Sequence, residues 1–235
     1  RTPSCCVGQA RCEWACFDTM KFCHNLTQSY QDEMHRPPFP YKFKVKASGC
    51  PNDCVAAIAR ADLSLIGIWK DDIRQDDAAV AEYAAGGLDI ARDVCARCPG
   101  QCMDWGGATL TIDNRDCKRC MHCINVMPQA LRPGMERGAA ILIGAKAPIV
   151  QGALLSSVLV PFVPEPEIEE TVRELLKRIW EFWDEYGKNR ERVGEMIQRV
   201  GMSAFLDGIG LDPRPEMVAF PRDNPYVFFQ KEDVK

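Results

Sequence analysis

Thirteen of the 235 residues are cysteine, and they stand in tight local groups that all fall before residue 124. Cysteines two to four residues apart seldom bridge one another, because a disulfide demands Cα and Cβ separations that so short a loop rarely offers. Disulfide scaffolds are also usually short, secreted chains. Grouped thiols suit metal instead, which points to a reducing cytoplasm and makes the sequon Asn25-Leu26-Thr27 a coincidence. Any fold for this chain must therefore bring separated thiols together.

Composition narrows the classes further. With 29 Lys+Arg against 33 Asp+Glu the net charge is -4, and a mildly acidic chain has no general attraction for nucleic acid or an anionic membrane. At 46% apolar and 26% charged residues it has the make-up of a globular protein of one large or two small domains. The most apolar region, Ala139 to Val163, is broken by Lys146, Pro148, Gln151 and Pro161, so it reads as buried strands and not as a membrane span. The chain opens Arg-Thr-Pro-Ser with no initiator Met and no leader pattern, and residue 1 reads as the interior of a longer polypeptide.

The run Cys117-x2-Cys120-x2-Cys123 lets three thiolates reach a cubane iron–sulfur cluster from a single loop. A fourth must come from elsewhere. In bacterial ferredoxins that cysteine precedes a proline, a dipeptide present here as Cys98-Pro99, with Cys95 and Cys102 as rivals. Residues 108–113 alternate as a strand does, and 125–130 follow the ferredoxin pattern, so a ferredoxin-like [4Fe-4S] module is expected. A zinc knuckle is the alternative, although zinc more often takes two Cys pairs or adds His. His122 reads as a residue that faces outward or hydrogen-bonds the cluster.

Upstream, Cys6-x5-Cys12 and Cys50-x3-Cys54 offer four more soft thiolates in two pairs, again suited to a [4Fe-4S] cluster. Here the wording becomes specific. Arg1-Thr2-Pro3-Ser4, Pro40-Tyr41-Lys42-Phe43-Lys44, Gly49-Cys50-Pro51-Asn52-Asp53-Cys54, Arg119-Cys120-Met121-His122-Cys123-Ile124-Asn125 and the closing Asn224-Pro225-Tyr226-Val227-Phe228-Phe229 resemble the alpha subunits of dissimilatory sulfite reductases. These belong to the sirohaem sulfite and nitrite reductases, and the likeness covers essentially the whole chain.

The resemblance implies an α+β sirohaem-binding fold with an inserted ferredoxin-like domain and C-terminal helices. It implies the six-electron reduction of sulfite to sulfide, with sirohaem and two [4Fe-4S] clusters as cofactors. One cluster would be held by Cys6, Cys12, Cys50 and Cys54, and the Cys54 thiolate would also be the axial ligand of the sirohaem iron. The other, held by Cys117, Cys120, Cys123 and, by preference over Cys102, Cys98, would be the electron inlet. Lys42, Lys44 and Lys46 alternate, as side chains on one face of a strand do. Alone that pattern reads as a solvated edge strand. With the resemblance, these lysines and Arg1 look like a cationic wall for sirohaem carboxylates and sulfite. Implied partners are sulfite, a beta subunit in an alpha2beta2-type hetero-oligomer, a small sulfur carrier with C-terminal cysteines, and an electron-donor protein. Two other readings stand beside this one: a sirohaem nitrite or assimilatory sulfite reductase, and a structural or electron-transfer subunit whose sirohaem-type pocket does no chemistry.

Three stretches follow from composition: 1–66 with the first cysteine groups, 67–147 with the ferredoxin-like unit, and 148–235 without cysteine, returning to the first domain. In the last, Ile168, Val172, Leu175, Leu176, Ile179, Phe182 and Trp183 recur at helical steps and predict an amphipathic helix that stops near Gly187. A second helix is expected over 189–200.

Overall fold

Phe43, Val45 and Ala47 are buried while Lys42, Lys44 and Lys46 between them are half-exposed. That period of two is the signature of a chain lying on a sheet with one face covered. The computed structural model describes residues 2–35, 39–147 and 152–213. Arg1, most of the turn before Phe39, and the tail from Arg214 with its aromatic run lie outside the described residues.

In chain order the first half contains β1 (Ser4–Cys5), α1 (Thr19–Ser29), α2 (Gln31–His35), β2 (Val45–Ser48), α3 (Ala57–Arg60), β3 (Leu63–Trp69), β4 (Arg74–Gln75) and α4 (Asp77–Ala85). There follow β5 (Met103–Trp105), β6 (Leu110–Ile112), α5 (His122–Val126), β7 (Leu131–Arg132), β8 (Arg137–Ile143), β9 (Ser157–Pro164), α6 (Ile168–Tyr186), α7 (Val193–Val200) and α8 (Met202–Gly208). The architecture is α+β. The main sheet has the order β1-β2-β3-β8-β9, parallel from β1 to β3 and antiparallel from β3 to β9.

One sheet face carries the larger core. Val45, Ala47, Leu63, Leu65, Ile141 and Leu159 meet Phe22 and Leu26 of α1 and Val172, Leu176, Ile179 and Trp183 of α6. The apolar stripe predicted for 168–186 is thus the buried face of α6, and the Gly187 amide closes its last turn on the Trp183 carbonyl. The helix expected over 189–200 begins later, at Val193. Residues 188–192 form a turn in which Arg192 becomes the N-cap of α7. The further helix α8, after Gly201, was not anticipated; Phe205 and Leu206 on it complete the core.

The pairing of β3 with β8 ends at Trp69 opposite Arg137. Residues 70–136 leave the sheet there and return to the neighbouring strand, so the excursion starts three residues later and ends eleven residues earlier than the 67–147 expected from composition. It has its own core, among it Trp69, Ile73, Val80, Val94, Leu110, Ile124, Met127 and Leu131, and two small hairpin-like pairings, β4 with β7 and β5 with β6. The alternation read over 108–113 is β6. Of the three alternating lysines only Lys46 lies within a strand, because β2 starts at Val45; Lys42 and Lys44 precede it in extended chain. Among the described residues no helix is long and apolar enough to cross a membrane.

The C-terminal helices are fixed to the sheet by a buried ion pair. Arg192 Nε donates to Asp62 Oδ1 at 2.7 Å and Nη2 to Oδ2 at 2.5 Å, and the Lys44 amide adds a bond of 2.7 Å to Oδ2. Burial pushes the Asp62 carboxyl up and Arg192 opposes it; three donors aimed at two oxygens require the carboxylate. Arg192→Met leaves that charge buried without its partner and is expected to cost about 3–5 kcal/mol. The double change Asp62→Leu with Arg192→Met should cost less than the single one, read from urea-unfolding midpoints of the parent and both variants.

Candidate metal centres

The first group of thiols gathers where two parallel strands end. Cys6 follows β1, its amide bonded to the Ala47 carbonyl of β2, and Cys50 follows β2 after Gly49. Cys12 is brought back by a single turn whose closing bond runs from its amide to the Gly8 carbonyl. Gly8 has φ of +51°, and a Cβ there would stand 2.3 Å from Thr19 Oγ1, so only glycine fits. Cys6, Cys12, Cys50 and Cys54 line one cavity of about 270 Å³. The carboxyl ends of parallel strands are the usual place for a ligand in such sheets.

The loop carrying Cys50 and Cys54 is held by Asp53. Its carboxylate accepts from Ser48 Oγ at 2.6 Å and from the Ala57 and Ile58 amides at 2.8 and 3.0 Å, which caps α3. Asp53 and Ala56 take the left-handed conformation on either side of Cys54. The Gly49 amide donates to Cys6 Sγ at 3.1 Å.

The loop also lies close on β3. A Cβ on Gly67 would fall 2.0 Å from the Gly49 carbonyl oxygen, and one on Gly49 would fall 2.9 Å from Ala15 Cβ. Neither position admits a side chain unless the cysteine loop moves.

The second group sits in the excursion. Cys98, Cys102, Cys117, Cys120 and Cys123 line a common cavity with Trp69, Arg119 and His122. Arg119 and Met121 are both left-handed and flank Cys120, turning the loop so that Cys123 enters the first turn of α5. Such strained non-glycine residues cost of order 1–3 kcal/mol each and recur at ligand clamps. Cys98 Sγ and Cys102 Sγ stand 3.5 Å apart, so the structure brings both candidate fourth thiols to the cavity. His122 Nε2 bonds the Asp93 carbonyl at 3.0 Å, which ties that ring nitrogen to backbone.

Burial pushes the Cys50 thiol up to about 11 and those of Cys102 and Cys123 up to about 12. Unligated, they are neutral thiols; a metal must take their protons, so binding releases protons and depends on pH. The donor set fits iron–sulfur clusters: soft sulfur only, with amides directed at sulfur from Gly49 and, at 3.4 Å, from Arg119 to Cys117 Sγ. Trp69 Nε1 and Arg119 Nε, both on residues lining the second cavity, are buried donors with no partner among the described residues. They fit a group that brings its own sulfide acceptors. Among the described residues no three His, Cys, Asp or Glu side chains close to the spacing of one metal ion.

The spare thiols Cys16 and Cys23 are buried, and burial raises both. Lys46 Nζ holds the Val55 carbonyl at 3.0 Å, next to Cys54 at the first cavity. Lys42 Nζ lies 4.9 Å over the Tyr41 ring, and Lys44 is half-exposed between them. Two features were not read from the sequence. Asp53 had a signal available, an Asn-Asp turn just before a short helix. Trp69 had none: an isolated tryptophan reads as core, and it is both core and cavity wall.

Known proteins share this arrangement of chain. The family model described as the nitrite and sulphite reductase 4Fe-4S domain matches residues 1–214. The dissimilatory-type sulfite reductase subunit alpha of Nitratidesulfovibrio vulgaris is 51% identical over 100% of this chain and 57% of its own length. The corresponding subunit of Allochromatium vinosum is 46% identical over 97% of this chain and 56% of its own length. A crystal structure of dissimilatory sulfite reductase I superposes with a TM-score of 0.90 at 51% identity, covering 100% of this chain and 57% of that one. The chain therefore spans a little over half the length of the curated relatives it matches. A match that runs from the first residue through the last described helix settles the kinship: the chain belongs to the nitrite and sulphite reductase 4Fe-4S domain family.

Proposed function

We propose that this chain is the cluster-bearing part of a dissimilatory-type sulfite reductase alpha subunit, and that the complete protein reduces sulfite to sulfide. The observation that carries the reading is the gathering of Cys6, Cys12, Cys50 and Cys54, from two distant stretches of sequence, around one cavity at the strand ends. Relatives at 51% and 46% identity bear that enzyme's name.

In this reading Cys6, Cys12, Cys50 and Cys54 would hold one [4Fe-4S] cluster, and Cys54, whose thiol is exposed, would also serve as a ligand of the sirohaem. Cys98, Cys117, Cys120 and Cys123 hold a second, with Cys102 a neighbouring thiol. When bound, these groups would pass to sulfite, one at a time, the six electrons that a donor protein supplies. The polypeptide's own tasks are positional and electrostatic. Asp53 fixes the loop that aims Cys54 outward. Lys46 keeps an ammonium beside that loop, where it attracts an oxyanion and can give up a proton as S–O bonds break. Lys44 and Lys42 would add to that positive charge, and Arg1, which lies outside the described residues, is assigned to the same oxyanion by the resemblance alone.

The naming of the relatives as subunit alpha supports a beta companion in an alpha2beta2-type assembly. A small sulfur-carrier protein with C-terminal cysteines would receive the product sulfur. A donor protein would feed the second cluster, and the reduced thiols suit a cytoplasmic setting.

Two predictions test this. The complete subunit isolated without air should contain two four-iron clusters and sirohaem by iron, sulfide and absorption analysis; zinc in place of iron would sink the reading. Cys120→Ser should remove one cluster and leave the sirohaem spectrum, whereas Cys54→Ser should disturb both cluster and haem; Cys98→Ser should lose the second cluster and Cys102→Ser should not.

The second concerns the lysines. Lys46→Met removes a charge-assisted contact, which typically costs about 1.5–3 kcal/mol, or roughly ten- to a hundredfold in sulfite affinity. Lys42→Met and Lys44→Met are expected to weaken sulfite binding or sirohaem occupancy as well. Changes within about 0.5 kcal/mol at all three would return them to a solvated face.

A further inference from the structure

Asn52 lies between the thiols Cys50 and Cys54, and Asn125 lies two residues beyond Cys123. The two side chains face each other: Asn52 Nδ2 donates to Asn125 Oδ1 at 3.1 Å, and Asn125 Nδ2 returns the bond to Asn52 Oδ1 at 2.7 Å. Each amide donates one bond and accepts one, so the pair is reciprocal and each side chain matches the other. The pair joins, across 73 residues of sequence, the loop that carries half of the first thiol group to the helix that carries the last thiol of the second.

We infer that the Asn52–Asn125 amide pair is a positioning device that sets the separation of the two metal centres for the passage of electrons between them. The inference rests on the proposed two-cluster reading. Both residues are exposed in this chain, and a solvated pair of neutral hydrogen bonds contributes little to folding. Attachment of the excursion is already provided nearer Cys12: Arg132 pairs with Glu13 and lies 4.7 Å over the Trp14 ring, and Arg137 Nη1 donates to the Ala15 carbonyl at 3.0 Å. What those contacts leave open is the angle between the loop of Cys54 and the start of α5. The reciprocal amides fix that angle at its ligand-bearing end. Pro51, with its locked φ, and the capping of Asp53 stiffen the first loop, so restraint at Asn52 is transmitted to Cys50 and Cys54.

The step served is a bare electron transfer. One electron leaves the second centre, which is oxidised by one unit, and enters the first, which is reduced by one; no bond breaks and no proton moves at either asparagine. The electron originally comes from the donor protein, for which reduced methyl viologen can stand in.

The test uses the complete alpha–beta protein and its variants Asn52→Leu, Asn125→Leu, the double variant, and Asn125→Ser in case leucine distorts the loop. Iron content, inter-cluster spin interaction by EPR, and the rate at which a pulse of reduced viologen passes from the second cluster to the first are measured on each. The inference expects full iron in every variant, a severalfold slower transfer, an altered spin interaction, and a double variant no worse than either single one. Parent-like transfer rates and spectra in iron-replete variants would overturn it. So would loss of the second cluster from both Asn125 variants, since the pair would then secure a ligand loop and not a distance. A parent protein without two clusters would overturn the functional reading as well, which keeps the two failures distinguishable.

Discussion

Two glycines set the plan of this molecule. With no side chain at Gly67, the Gly49 backbone of the loop carrying Cys50 lies directly on β3, and with none at Gly49 the same loop closes on Ala15. Two residues further along that strand, Trp69 is a wall of the second thiol cavity. Two residues of strand span only about 7 Å. One short piece of extended backbone therefore has the first thiol group against it and a wall of the second thiol cavity two residues on.

Burial holds several of these thiols in the neutral form, while backbone amides near them already point at sulfur. The arrangement is a poor home for bare thiolates, which would repel one another, and a good one for thiolates shared with iron. Left-handed residues beside Cys54 and Cys120 carry the local strain, and it falls on the two exposed thiols, Cys54 and Cys120. Backbone of this kind recurs at ligand clamps.

Legibility from sequence followed the range of the signal. The period of α6 was plain because its stripe runs for nineteen residues against a single core. The α+β class and both thiol groups were also legible, the first through resemblance and the second through spacing. The start of α7 was misjudged because it is set by Arg192, whose partner Asp62 is 130 residues away, and no local pattern announces a cap chosen by a distant carboxylate. The lysine alternation was read as strand throughout, yet β2 begins only at Val45, where β3 becomes available as a hydrogen-bonding neighbour. Asn52 and Asn125 were read only as parts of the two cysteine motifs, since nothing local links them and only the fold makes them a pair.

The junction between Trp69 and Arg137 carries an implication about engineering. Because the excursion leaves one strand and re-enters the antiparallel strand beside it, its two ends are already neighbours, and the sheet's order and register are indifferent to what lies between them. A tight turn in its place would join the same two strands. The thiol-bearing segment in this sense sits on a hairpin: it can be exchanged without re-threading the chain, and its ends need no loop-closure entropy beyond what the sheet has already met.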